Sequence, residues 1–222
     1  MKKMISFIVC AVMIFSSCFV CASAEPVDTV VQLQMVEGAA IRLGEVNGLR
    51  FYTSVDEAAR NQISDLIKSG YKVELGTLIS PLDIIGNSEL TFDLGEANYL
   101  DVRYTAGFAN NQFKYFEDGT GFVGFVGSII NIKLCTSKNY DNGNKKRDFV
   151  ARGYVKVTDK DGNQTITYAS YAGGNIANNT RRLFDLATAY KKDATGGYNK
   201  LDTATKKLVD EWATWVVYSP RY

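Results

Sequence analysis

The sequence predicts an α+β fold: a sandwich-like core of antiparallel β-sheet with three flanking helices. Three observations carry that expectation. The stretches Gly48–Val55 and Phe149–Thr158 send alternate residues to opposite faces, as strands do. Turn-forming residues lie beside each stretch, Glu45-Val46-Asn47-Gly48 before the first and Asp161-Gly162 after the second, as hairpins require. Three segments, near 56–69, 176–190 and 202–217, repeat apolar residues at helical spacing instead.

In chain order, Val27 to Val36 alternates loosely through Val31, Leu33 and Met35 and reads as an edge strand or a lead-in. Gly38-Ala39-Ala40-Ile41-Arg42-Leu43-Gly44 pairs with the strand after Gly48. There Leu49, Phe51, Thr53 and Val55 face one way, and Arg50, Tyr52 and Ser54 the other. Ser54-Val55-Asp56-Glu57 has the capping-box form and opens a helix through Ala58, Ala59, Ile63, Leu66 and Ile67, which Gly70 closes. Tyr71 to Ser80 returns as a strand that Pro81 stops. Leu82 to Gly95 is looser, with a short strand at Leu90-Thr91-Phe92, and Tyr99 to Thr105 is a further strand. Phe108 to Phe125 is rich in aromatic residues and glycine, Gly127 to Leu134 reads as a buried strand, and Lys138 to Asp148 is a polar loop around Tyr140. Phe149 to Thr158 is the clearest strand, returning at Thr165 to Ser170 through the Asp161-Gly162 turn. Ile176 to Tyr190 is an amphipathic helix, and Asp202 caps a last one with Leu208, Val209, Trp212, Ala213 and Val216 as its buried stripe.

The N-terminus reads as a secretory signal over residues 1–24, ahead of a single secreted domain over 25–222. Lys2 and Lys3 precede an apolar run from Ile5 to Val20, and Ala22-Ser23-Ala24 is a small-x-small cleavage site. A lipoprotein anchored at Cys18 is the alternative, since Phe15-Ser16-Ser17 places small residues before that cysteine. Three of the four cysteines lie in this signal, so Cys135 alone cannot form an intramolecular disulfide, and burial must hold the fold. Removing Lys2 and Lys3 leaves 23 basic residues against 24 acidic, a balance that gives no reason to expect nucleic acid as a partner. No membrane insertion is expected after signal cleavage, and the mature chain is expected to be a monomer.

Four stretches resemble a module of secreted and surface-attached proteins of anaerobic Firmicutes: Gly38-Ala39-Ala40-Ile41-Arg42, Gly48-Leu49-Arg50-Phe51, Leu75-Gly76-Thr77-Leu78-Ile79-Ser80-Pro81 and Ala151-Arg152-Gly153-Tyr154-Val155. That module often sits beside dockerin or immunoglobulin-like modules. The resemblance implies an extracellular setting and carries over no catalytic residues.

Motifs with chemical meaning are few. Gly119-Thr120-Gly121-Phe122-Val123-Gly124 spells the dinucleotide fingerprint, but Phe116-Glu117-Asp118 precedes it where an apolar strand belongs, and a strand follows where a helix belongs. Asp159-Lys160-Asp161-Gly162-Asn163 begins like a calcium loop, yet Ser170 stands at the twelfth position. No cofactor and no metal is expected. The chain has no histidine, which removes Ser-His-Asp and Cys-His catalysis and leaves Cys135 without an activating base. Glycosidase chemistry needs two facing carboxylates, and nothing selects a pair among Glu74, Asp83, Asp93, Glu96 and Asp101.

Candidate ligand-binding residues are Tyr115 and Tyr140, aromatic side chains in polar surroundings, and Arg42, Arg50 and Arg152, which interrupt apolar strands. A strand arginine near a core needs a partner, either an internal acid such as Glu74, Asp148 or Asp185 or an anionic ligand. The expected function is a non-catalytic extracellular or cell-surface module that binds a polysaccharide or a surface protein. The alternatives are a glycan-acting hydrolase with paired carboxylates and a small-ligand binder with an enclosed pocket. Two facing acids in a deep cleft would favour the hydrolase; a shallow aromatic surface or a flat sheet would favour the binding module.

Overall fold

The computed structural model describes residues 31–105, 113–117, 119–130, 132 and 143–214. In chain order its strands and helices are β1 (Gln34–Met35), β2 (Ala40–Arg42), β3 (Gly48–Ser54), α1 (Glu57–Lys68), β4 (Lys72–Pro81), α2 (Leu82–Ile85), β5 (Leu100–Arg103), β6 (Phe116–Glu117), β7 (Val123–Ile130), β8 (Phe149–Thr158), β9 (Gln164–Tyr168), β10 (Thr180–Arg181), α3 (Leu183–Lys192) and α4 (Thr203–Trp212). They form two antiparallel sheets of five strands each, with helices around them. In the first sheet β3 is central: β1 and β2 share one of its edges, and β7 followed by β6 lies on the other. In the second sheet β8 is flanked by β4 on one side and by β9 and β10 on the other, with β5 beyond β4. The α+β sandwich expected from the sequence is the observed architecture.

The sheets meet through Leu49, Phe51, Thr53 and Phe125 on one side and Leu75, Ile79, Ala151 and Val155 on the other, all buried. Glycine sets their spacing. A Cβ on Gly153 of β8 would lie 2.2 Å from Thr53 Oγ1, and one on Gly127 of β7 would lie 2.4 Å from Thr77 Cβ. Each sheet thus presses a threonine onto a glycine of the other, closer than any side chain there would permit. Met35 seals the contact, its sulfur accepting from Thr53 Oγ1 at 3.3 Å and from the Gly153 amide at 3.0 Å.

The second sheet is buried on both faces. Its outer face carries Leu78, Val150 and Tyr154, packed with Ile85, Leu90 and Tyr171. This explains why most positions of β4 and β8 are buried, without the inward-outward alternation of a one-sided strand. Tyr154 is fully buried and lies across Gly76, its cross-strand partner, where a Cβ would come within 2.4 Å of the ring. Its hydroxyl donates to Asp101 Oδ1 at 2.7 Å. Burial first, and then that hydrogen bond, push the phenol far above its ordinary range.

Several boundaries differ from the sequence reading. Helix α1 is capped by Asp56, which accepts from the Ala59 amide, because Ser54 is still the last residue of β3; Ala58 is exposed. Gly70 (φ +88) follows the Ser69 cap, and the Gly70 and Tyr71 amides bond Ile67 O and Leu66 O in a Schellman closure. Leu90–Phe92 is not a strand. The Leu90 and Phe92 amides instead donate to the hydroxyls of Tyr171 and Tyr168, at 3.4 and 2.9 Å. β7 begins at Val123 and ends at Ile130, which is exposed; residues 133–142, with Leu134, Cys135 and Tyr140, lie outside the described residues. The Asp161-Gly162 turn takes the positive φ at Gly162, while the Asp159 carboxylate accepts from the Asp161 and Asn163 amides and from Asn163 Nδ2. Those three bonds engage the carboxylate that the calcium reading required.

The expected helix 176–190 is broken. Ile176–Asn179 is a 3-10 turn, Thr180–Arg181 pairs with Phe149 and Val150 as β10, and α3 begins at Leu183. Asn179 drives the break. It is fully buried, donates from Nδ2 to Val36 O at 2.7 Å, and accepts from the Ala172 amide at 2.8 Å. Helix α4 starts at the predicted cap Asp202, and Lys145, itself buried, donates to Glu211 O and Thr214 O at its far end.

Candidate functional site

The outer face of the first sheet is built by alternation. With Leu49, Phe51 and Thr53 buried inward, Arg50, Tyr52 and Ser54 of β3 point outward and are half-buried. Register adds their neighbours. Arg42 of β2 stands opposite Gly48, so it shares this face and is a diagonal neighbour of Arg50. From β7, Ser128 stands opposite Arg50 and Val126 opposite Tyr52. From β6, Phe116 stands opposite Gly124, itself opposite Ser54.

Three rings cluster here. Tyr52 lies 5.8 Å from Phe116 and 5.6 Å from Phe122, the latter edge-on, and Phe116 and Phe122 are 6.2 Å apart. Gly124 makes room: a Cβ there would sit 2.7 Å from the Phe122 ring. The Arg50 guanidinium carbon is 5.6 Å from the Phe116 centroid, a cation–π distance. Arg50 Nε is buried with no hydrogen-bond acceptor among the described residues. The face therefore combines rings, a half-buried cation and an unsatisfied donor on the outer side of a sheet.

The other predicted residues lie elsewhere. Arg152 is on the second sheet. Its Nε donates to Ala169 O at 2.9 Å, its Nη1 to Glu89 Oε2 at 2.8 Å, and its guanidinium lies 5.1 Å from each of the Tyr168 and Tyr171 rings. Its acid is Glu89 rather than Glu74, Asp148 or Asp185, which was not foreseen because Glu89 belongs to the irregular segment over the outer face. Arg152→Met is expected to cost about 1–2 kcal/mol through the lost carbonyl bond and ring stacking, less than a stranded buried acid would, because the Glu89 side chain is 71% exposed and returns to water. A thermal melt checks this, and an unchanged midpoint would contradict it. Tyr115 does not stand in polar surroundings: it packs against the main core beside Phe113, and burial pushes its phenol up to about 12. Tyr140 lies outside the described residues.

The fingerprint glycines Gly119 (φ +79) and Gly121 (φ +93) sit in the connection of the β6–β7 hairpin, and a strand follows them. Among the described residues no group of three or more His, Cys, Asp or Glu side chains could hold a metal ion. Three of the five candidate carboxylates, Glu74, Asp83 and Asp101, are engaged by cations. Glu74 lies 3.0 Å from Lys156 and 3.3 Å from Lys72, Arg103 is 3.2 Å from Asp101, and Arg147 is 2.7 Å from Asp83. Burial alone would raise Glu74, but hydrogen bonds and charge from Lys156 and Lys72 carry it below its ordinary value. Asp83 is lowered chiefly by its bond to Arg147. A general acid needs the opposite shift.

Sequence reasoning did not single out Phe116 and Phe122: the aromatic segment from Tyr99 to Phe125 could offer rings for stacking on sugars, but core packing is its more ordinary reading. The signal was present in the alternation of β3, which already placed Tyr52 beside Arg50. The hairpin that brings β6 and β7 to the same face was hidden by the fingerprint lookalike. No helix among the described residues is long and apolar enough to cross a membrane. Comparison with protein-family models, curated proteins and solved structures finds no match to this chain.

Proposed function

We propose that the chain is a non-catalytic extracellular module that binds glycan through the outer face of its first sheet. The observation that carries this reading is the Tyr52, Phe116 and Phe122 cluster with Arg50 stacked on Phe116. Aromatic rings on a sheet face offer apolar surface to the C–H faces of sugar rings, and a guanidinium beside them supplies directional donors to sugar oxygens. The secretory character of residues 1–24, the absence of histidine and the resemblance to surface modules support the same reading. The hydrolase alternative draws less support, because Glu74 and Asp83 are shifted toward permanent ionisation.

The test is a glycan array and polysaccharide pull-down with residues 25–222, run beside a reducing-end release assay. Retention of a polysaccharide without hydrolysis is expected, and Phe116→Ala should weaken it by about tenfold or more, because it removes the ring that Arg50 lies over. Hydrolysis of the retained polymer, or retention indifferent to Phe116→Ala, would contradict the proposal.

A further inference from the structure

The geometry points to an acidic glycan, one carrying uronate carboxylates, as the ligand class of this face, with Arg42 and Arg50 as its carboxylate-binding pair. The inference rests on the binding reading above and adds the charge of the ligand. Its basis is a contrast among the arginines. Arg103, Arg147, Arg152, Arg181 and Arg182 each lie within ion-pair distance of a described acid, at 3.2, 2.7, 2.8, 3.8 and 2.7 Å. Arg60 donates to Val55 O. Arg42 and Arg50 make no ion pair with any described residue, and they are the two that share the ring-bearing face. Diagonal cross-strand neighbours lie about 7–8 Å apart at the backbone, within reach of a shared carboxylate through two long side chains. Arg50 Nε is itself shielded from solvent and makes no hydrogen bond among the described residues; what a carboxylate at this face would offset is the charge of a guanidinium that no described acid matches. The guanidinium carbon lies over the Phe116 ring, 5.6 Å from its centroid, which places the charge beside the rings that a sugar would cover. Neutral glycan would use the rings and leave both charges unmatched; a uronate polymer uses both.

The experiment measures binding of residues 25–222 to polygalacturonate and to its carboxyl-reduced neutral counterpart by titration calorimetry, at low and high salt. The variants are Arg42→Gln, Arg50→Gln and Tyr52→Ala, each first checked by thermal melt. Arg42 has no partner among the described residues, so Arg42→Gln should melt like the parent and carry the test even if Arg50→Gln is perturbed. The acidic polymer should bind at least about tenfold more tightly than the neutral one, and that margin should shrink in Arg42→Gln and at high salt. Tyr52→Ala should weaken both. Equal affinity for the two polymers, or an acidic-polymer affinity unchanged by Arg42→Gln, overturns the inference, and the glycan-binding reading still stands if Tyr52→Ala abolishes that binding. Failure of both polymers to bind overturns the inference, and the array with Phe116→Ala then judges the reading on its own.

Discussion

Gly153→Ala is expected to lower stability by about 3 kcal/mol, the upper end of ordinary overpacking, because both sheets are fixed by their ladders and neither can retreat. The new Cβ would lie 2.2 Å from Thr53 Oγ1, 2.7 Å from its Cγ2 and 2.9 Å from its Cβ. Replacing Thr53 by Ala as well removes the first two clashes, so the double variant should be more stable than Gly153→Ala alone. Residues in direct contact commonly couple by about 0.5–3 kcal/mol, and the cycle should fall near the top of that range. Denaturant melts of the four proteins measure it. Additive effects would mean that the glycine and the threonine do not set the distance between the sheets.

Tyr154→Ala is expected to cost about 3–5 kcal/mol, the usual loss for a large aromatic removed from a core. The ring is fully buried on the outer face of the second sheet, lies over Gly76 and meets the Phe92 ring edge-on at 4.9 Å. It anchors the irregular segment 82–99, whose Leu90 and Phe92 amides hang from two further tyrosines. Tyr154→Phe keeps the packing and gives up only the 2.7 Å bond to Asp101, for a loss of about 1–2 kcal/mol. Asp101 stays paired with Arg103 in that variant, which keeps the cost small. Chemical denaturation checks both, and equal losses in the two variants would show that the hydroxyl rather than the ring holds the segment.

Where local pattern and tertiary need agree, the sequence is a good guide. The bounds of β8 and the β2–β3 hairpin were legible because alternation and turn residues point to one solution. Helix 176–190 misled because Ile176, Leu183 and Ala187 do fall at helical spacing. The buried amide of Asn179 and the pairing of Thr180 and Arg181 with β8 then override it. Leu90–Phe92 misled for a related reason: its backbone partners are hydroxyls 81 and 76 residues further along the chain. In the site, the common face of Arg50 and Tyr52 follows from period-two alternation alone. Phe116 and Phe122 join it only through the hairpin between β6 and β7, a pairing that composition does not disclose.

The most direct test of the binding face is a titration of isotope-labelled protein with a short oligogalacturonate, followed by nuclear magnetic resonance. The account predicts that the largest shifts fall on the aromatic protons of Tyr52, Phe116 and Phe122 and on the Arg42 and Arg50 side-chain Nε–H signals, with Arg152 and Tyr154 unmoved. Shifts gathered around Tyr168, Tyr171 and Arg152 on the second sheet, with the first sheet silent, would contradict it.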